Sequence, residues 1–269
     1  MISVMKLVGT GNDFLFIDGR VKLEMPRPEI VRRLCDRHFG IGADGLVFVE
    51  SRNGKLEWDF YNTDGSHAEM CGNATRCFGR WAALKLGLNA IDFATIAGPV
   101  HVDVAGEEVS SYLEFVSANP VLKRFEILGR EVGIYWIDTG VPHFVAKVAS
   151  IPEAQKDLEM IRALRFHPEG GPRGANVTFL EIVGPTSFKT VTYERGVEDF
   201  TLSCGTGVVA AAAVGLQISA QKAGLTPGRE ADVEAPGGKL RVRFEEKGVT
   251  LIGPAVRVFE TEIDEKTLR

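Results

Sequence analysis

The sequence predicts a mixed α/β fold assembled from two homologous halves. Two observations carry this expectation. One is a repeated motif. Ser203-Cys204-Gly205-Thr206-Gly207 runs into the Ala-rich stretch Val208 to Ala213, and Met70-Cys71-Gly72-Asn73-Ala74-Thr75 runs into a second helical pattern with the same grammar. Each is a cysteine, a glycine and a small polar residue ahead of a helix. The other is a series of short segments in which apolar and polar residues alternate, the period of strands with one buried face. Examples are Leu56 to Tyr61, Val100 to Val104, Tyr112 to Phe115 and the tail from Val233 to Glu262.

The repeat extends beyond the cysteines. Phe60-Tyr61-Asn62 matches Thr192-Tyr193-Glu194, and Gly42 to Glu50 matches Gly174 to Ile182. More loosely, Gly11 to Leu15 matches Gly140 to Val145. The matches occur in one order at a nearly constant offset. The second copy begins at Ser117-Ala118-Asn119-Pro120, so the halves are residues 1–117 and 118–255. The tail, about 256–269, is expected to return to the first half, because its alternating strands need an edge to join.

Taken in order, Val4 to Asp18 reads as strand, Gly-rich turn and strand. Asn12 and Asp13 in that turn are either Asx-turn formers or ligand contacts. Pro26 to His38 reads as a helix with Pro28 in its first turn and an apolar stripe of Ile30, Val31, Leu34 and Cys35, which places Cys35 in the core. Gly45 to Glu50 is a strand. The turn Asn62 to Ser66 is dense in polar groups and lies just before Cys71, which makes Asn62 a candidate contact. Cys77 falls on a different helix face from Cys71 and reads as packing. His101 alternates with valines and reads as a solvent-facing strand residue. In the second half, Val132 to Asp138 is a strand, His143 stands where the first half has Asp13, and Pro152 to Leu164 is a helix. Val177 to Ile182 and Lys189 to Tyr193 are strands. An adjacent Glu194-Arg195 pair is usually solvated surface, but it corresponds to Asn62-Thr63 of the first copy. The helix after Cys204 should run from about 206 to 222 and be buried, since Ala is the best helix former and the run has no polar face.

Composition narrows the function. The chain has 269 residues, 45% hydrophobic and 25% charged, with a net charge of −5. No Lys/Arg run or basic face suggests nucleic acid. No apolar run approaches the roughly 20 residues of a membrane helix. The N-terminus runs straight into a motif, so no signal peptide is expected. The 4 cysteines include no C-x-x-C and no Cys/His cluster, which argues against zinc and against a disulfide framework. The cytoplasm, where thiols stay reduced, is the expected compartment.

Two similar halves, each with one cysteine at a helix start, suggest a chemistry. A carbon acid held between them can lose a proton to one thiolate and regain one from the opposite thiol, with inversion. A thiol suits this chemistry, since its unperturbed pKa is roughly 8.5 and a helix N-terminus can pull it toward neutrality. One member starts each turnover as thiolate and the other as thiol.

Gly11-Asn12-Asp13-Phe14, Asn62-x-Asp64-Gly65-Ser66, Met70-Cys71-Gly72-Asn73, Pro142-His143, Glu194-Arg195-Gly196 and Ser203-Cys204-Gly205-Thr206-Gly207 together resemble the diaminopimelate epimerase family, in order over nearly the whole chain. The resemblance implies an α/β (α+β) fold of two pseudo-symmetric domains, each a mostly antiparallel β-sheet wrapped around a central α-helix. It also implies an isomerase that interconverts LL- and meso-diaminopimelate for lysine and peptidoglycan synthesis. It would need no PLP or other cofactor and no metal, and it would act on a small amino-acid substrate as a homodimer. Carried over by position, Cys71 and Cys204 are the acid/base thiols, and His143 and Glu194 tune them. Backbone amides of Gly72, Asn73, Gly205 and Thr206 hold the reacting α-carboxylate, a sensible use of two helix starts. Asn12, Asn62, Asn176, Glu194 and Arg195 contact substrate, with the arginine suited to a distal carboxylate.

This chain departs from the family pattern at several points. Gly45 and Val141 stand where many members carry Gln and Asn, so two side-chain contacts are absent. The segment between Arg195 and Cys204 is one residue longer than in many members, and Phe200 replaces a frequent acidic residue. The alternatives are a related racemase of proline, hydroxyproline or histidine; an isomerase of the phenazine-biosynthesis branch, which the cysteine pair argues against; and a binder of zwitterions without turnover.

Overall fold

The structure, a computed structural model, describes residues 1–68, 70–96, 98–113, 119–220 and 227–268. The chain divides into two compact units, Met1–Leu113 with Gly253–Arg269, and Glu114–Ile252. The boundary expected at Ser117-Ala118 lies outside the described residues, as does the expected end of the strand at Phe115.

The first unit runs β1 (Ile2–Gly9), β2 (Asn12–Asp18), α1 (Arg27–Cys35), β3 (Gly45–Arg52), β4 (Lys55–Asn62), α2 (Gly72–Leu86), β5 (Ala90–Thr95), β6 (Gly98–Ala105) and β7 (Glu108–Leu113). The second runs β8 (Val121–Ile127), β9 (Arg130–Asp138), β10 (Pro142–Lys147), α3 (Ile151–Ala154), α4 (Leu158–Arg165), β11 (Asn176–Ile182), β12 (Ser187–Tyr193), β13 (Phe200–Thr201), α5 (Gly205–Ala220), β14 (Glu230–Ala235), β15 (Gly238–Glu245) and β16 (Gly248–Pro254). The chain then returns to the first unit as β17 (Val256–Ile263).

In the first unit β17–β1, β1–β2, β3–β4, β5–β6 and β6–β7 pair antiparallel, while β2–β3 and β4–β5 pair parallel. In the second, β8–β9, β9–β10, β11–β12, β14–β15 and β15–β16 pair antiparallel, while β10–β11 and β12–β14 pair parallel. The pattern is the same apart from the two-residue β13, which pairs antiparallel with β12. A parallel pair needs a crossover, and a helix supplies it in every case here. The return strand β17, in register Ile2↔Ile263 with β1, fills the position that β8 fills in the other unit.

Each unit packs one helix against strands from across its sheet. Helix α2 meets β1, β2, β5, β6 and β7, and α5 meets β9, β10, β11, β12, β14 and β15. Small residues let those strands close in. A Cβ on Gly79 would lie 2.4 Å from Val102, and one on Gly215 would lie 2.6 Å from the Phe188 ring. Along α5 every residue from Gly207 to Leu216 is buried, as a helix without a polar face requires. Cys35 and Cys77 are core residues. The single helix expected over Pro152 to Leu164 is two. It breaks after Ala154, and Asp157 restarts it by accepting a hydrogen bond from the Met160 amide at 3.2 Å.

Candidate active site

Both motif cysteines end a crossover from a strand to the central helix. The Thr75 amide donates to the Cys71 carbonyl, and the Val208 amide donates to the Cys204 carbonyl, each at 2.9 Å. Each cysteine thus occupies the residue before its helix's first turn. The first amides of a helix have no acceptor in the helical ladder, and they carry the positive dipole end. An anion is favoured there. Gly72 and Asn73 open α2, and Gly205 and Thr206 open α5. Both cysteines are partly exposed as residues, and neither is bridged.

The described contacts gather the other candidates into two groups, one in each unit. In the first, Asn73 Nδ2 donates to Asn12 Oδ1 at 2.6 Å, and Asn12 Nδ2 donates to Asp44 Oδ2 at 2.9 Å. Asp13 supports that turn. Lys6 lies 2.7 Å from its carboxylate, and Arg37 bridges it to Asp44 at 2.8 and 2.6 Å. Burial alone would raise the Asp13 pKa, but Arg37 and Lys6 hold it below the ordinary value. Asn62 is exposed, and its amide nitrogen donates to Ser66 Oγ at 3.0 Å, not to the Asn12–Asn73 pair.

The second group centres on His143, which is fully buried. On the ladder it lies opposite Asn176, much as the Asp44 amide bonds back to the Asp13 carbonyl in the first unit. The Arg195 amide donates to Asn176 Oδ1 at 2.7 Å, which fixes the orientation of that side-chain amide. Asn176 Nδ2 therefore donates to His143 Nε2 at 3.2 Å, and Thr206 Oγ1 lies 3.0 Å from the same nitrogen. Nε2 is then the acceptor, and Nδ1–H donates to Thr178 Oγ1 at 2.9 Å. Burial, with Arg195's charge second, lowers the His143 pKa to about 3, so the imidazole is neutral. Thr206 Oγ1 also lies 3.4 Å from Cys204 Sγ, which makes the threonine the link between histidine and thiol.

Glu194 sits on the other side of Cys204. Thr201 donates to its carboxylate, and Cys204 hydrogen-bonds to it. Burial raises the Glu194 pKa despite both bonds. Arg195 Nη1 donates to the Gly174 carbonyl at 3.2 Å. Burial and the nearby guanidinium groups of Arg173 and Arg165 lower its pKa, so an anion beside it is favoured.

One expectation is overturned. The helix N-terminus was expected to pull the Cys204 thiol toward neutrality. Its pKa is instead raised, first by burial and next by the Glu194 charge, and these outweigh its hydrogen bonds with Thr206 and with the Gly207 amide. A dipole end is a fractional charge, whereas desolvation acts on the whole thiolate.

Thr10, Asp44, Arg76 and Thr178 join the site without a motif that marks them in the sequence. Arg76 is fully buried, donating from Nη2 to Thr10 Oγ1 at 2.8 Å and to Asn73 Oδ1 at 2.6 Å, and from Nη1 to the Gly72 carbonyl at 3.1 Å. The available signal was an arginine in a run, Ala74 to Phe78, with no other charged residue. Among the described residues no cluster of three or more His, Cys, Asp or Glu side chains is placed to hold a metal, and no helix is long and apolar enough to cross a membrane.

The family model for diaminopimelate epimerase matches residues 4–116 and 135–258. The diaminopimelate epimerase of Aquifex aeolicus is 39% identical, over 98% of this chain and 98% of its own length. Those of a Hydrogenobaculum species and Archaeoglobus fulgidus are 38% and 37% identical, over 96% of this chain and 96% and 95% of their own. Among solved structures, a phenazine biosynthesis protein of the PhzF family from Enterococcus faecalis superposes with a TM-score of 0.69 at 14% identity, over 98% of this chain and 99% of that one. A hydroxyproline epimerase from Agrobacterium vitis does so with a TM-score of 0.68 at 11% identity, over 97% and 91%. Those two show the two-domain α+β fold. The sequence matches go further: this chain belongs to the diaminopimelate epimerase family of isomerases.

Proposed function

We propose that the protein interconverts LL- and meso-diaminopimelate by two-base proton transfer between Cys71 and Cys204. One thiolate takes the α-hydrogen, and the electron pair left behind spreads into the α-carboxylate. The opposite thiol then delivers its proton to the other face. Amides of Gly72, Asn73, Gly205 and Thr206 hold the carboxylate and stabilise its developing enolate charge. Asn12, Asn62, Asn176, Glu194 and Arg195 take the remaining groups, with Arg195 for the distal carboxylate and the Asn and Glu side chains for its ammonium. His143, neutral and held from Nδ1, orients Thr206 toward Cys204. Glu194 hydrogen-bonds the same thiol and favours its protonated form. The proton passes between carbon and sulfur only, so the cycle asks for no PLP and no metal. We further propose a cytoplasmic homodimer in which the thiols stay reduced.

The observation that supports this most is the same in each unit: a half-buried cysteine immediately before the first turn of its central helix. The test is an assay in deuterium oxide with LL-diaminopimelate. Label should enter the α-carbon as the meso isomer forms, while proline, hydroxyproline and histidine stay unlabelled. Cys71→Ala and Cys204→Ala should each lose at least a hundredfold in rate, about 2.7 kcal/mol in barrier. Retention of more than that by either variant would remove its thiol from the mechanism. Dialysis against a chelator should leave the wild-type rate unchanged.

A further inference from the structure

Helix α2 contains a cation that the proton-transfer scheme does not use. Arg76 is 0% exposed, and among the described residues no carboxylate pairs with it. Its hydrogen-bond partners are neutral oxygens on Gly72, Asn73 and Thr10, and its Nε has no partner. A buried arginine ordinarily has an acidic partner, because an uncompensated charge is costly to desolvate. Thr10 has φ 48 and Gly11 φ 92, the two residues of the hairpin turn between β1 and β2. That turn places the Thr10 hydroxyl between Arg76 and Asn73.

Among the described residues, α5 of the other half carries no cation. The residue that follows Cys204 at the same spacing is Val209, which is apolar and buried. Cys204 has instead the Glu194 carboxylate as its neighbour. One motif cysteine thus stands near a buried positive charge, the other beside an acid.

We propose that Arg76 is a positioning residue that sets the resting proton inventory: it supplies the counter-charge for a Cys71 thiolate, while Cys204 rests as the thiol. This deepens the two-base reading and rests on it. The asymmetry follows from charge placement. A thiolate at Cys71 gives the guanidinium the negative partner it otherwise lacks, whereas a thiolate at Cys204 would sit beside Glu194. Desolvation lowers the Arg76 pKa to about 10, and the charges of Cys77 and Cys71 oppose that shift. Cys77 is not the counter-ion, since burial pushes its thiol up to about 12.

Among the described residues the other charged groups on or around α2 are paired or face outward, except Arg80, which is partly buried and whose Nε has no partner. Lys85 on the helix pairs with Glu260. On β1 and β2, Lys6 pairs with Asp13, and Asp18 pairs with Arg20. Asp92 on β5, His101 and Asp103 on β6 and Glu108 on β7 belong to the solvent-facing side of the sheet.

The test is alkylation of the substrate-free full-length enzyme with iodoacetamide between pH 5.5 and 9, with each cysteine followed by peptide mass spectrometry. In the wild type, Cys71 should react at a lower pH than Cys204, at least tenfold faster at pH 7. Arg76→Met should slow Cys71 at least tenfold at pH 7 by moving its profile to higher pH, leaving the Cys204 profile in place. Arg76→Lys, which keeps the charge, should restore most of the Cys71 rate. If Cys204 reacts first in the wild type, or if folded Arg76→Met keeps the wild-type Cys71 profile, the proposal is overturned. Should Arg76→Met not fold, the wild-type order and the Arg76→Lys profile decide on the same criteria: a Cys71 profile in folded Arg76→Lys shifted as far as tenfold slowing is also an overturning result. The alanine variants in deuterium oxide test the two-base reading separately, so the proposal about Arg76 can fail while that reading stands.

Discussion

Asn73 Nδ2 meets Asn12 Oδ1 at 2.6 Å, joining the first turn of α2 to the β1–β2 turn. The bond ties a helix-start amide, proposed for the α-carboxylate, to a side chain proposed for substrate. Asn73 Oδ1 also receives Thr10 and Arg76. Asn73→Ala would strand two buried donors and release Asn12. It should cost about 1–3 kcal/mol of stability and raise KM for diaminopimelate by about tenfold or more. Urea unfolding and steady-state kinetics check both. A change in stability without a change in KM would confine Asn73 to the fold.

His143 gives the protein a signature in acid. In an unfolded chain its imidazole titrates near 6.5, and in the folded protein near 3. Between those values the unfolded state binds a proton that the folded state cannot. Stability is therefore full above pH 6.5 and falls as pH drops toward 3, by at most about 1.4 kcal/mol per pH unit from this group. His143→Gln should lose that component, so the difference in unfolding free energy between wild type and variant should shrink from pH 7 to pH 5. A constant difference across that range would mean the buried imidazole accepts a proton in the folded state.

Gly45 explains one departure from the family pattern. A Cβ there would lie 2.8 Å from the Phe60 ring and 2.9 Å from the Tyr61 carbonyl. Glutamine at this position therefore needs a smaller residue at 60. Gly45→Gln alone should destabilise by about 1–3 kcal/mol through overpacking, and Phe60→Leu added to it should recover part of the loss. Thermal unfolding of the single and double variants reads the coupling. Strictly additive losses would show that the ring is not the obstacle.

Arg165 is tied to Glu198, with Nη2 at 2.6 Å and Nε at 3.1 Å from Oε1, and Arg165 also holds the Arg173 carbonyl. The arginine side chain is 5% exposed and the glutamate 39%. Glu198→Ala leaves a buried guanidinium without its carboxylate. Because solvent still reaches one partner, the loss should be near about 1–2 kcal/mol rather than that of a fully buried pair. Denaturant midpoints measured in low and high salt check it. An unchanged midpoint would mean that solvent already screens the pair.

Much of this protein was legible in its chain. The duplicated Cys-Gly-polar motif, the alternating strands and the Ala-rich helix are local patterns, so period and propensity reveal them. The identity of the family follows from short motifs whose residues lie close together in sequence. The partners of His143 were not legible, since Thr178 and Thr206 are 35 and 63 residues away; the β10–β11 register brings Thr178 to one ring nitrogen, and packing of α5 against β10 brings Thr206 to the other. Arg76 was not legible either. Arginine ordinarily stays solvated, and packing of strands over α2 is what encloses it. The Cys204 thiol shows the limit most directly: its place before a helix can be read from sequence, but its proton affinity depends on how much water the folded protein removes and on which carboxylate remains beside it. Sequence by itself determined the two halves, the two cysteines and the family. Tertiary structure decided which groups are desolvated and which charges stand together, because those depend on neighbours that the chain brings from far away.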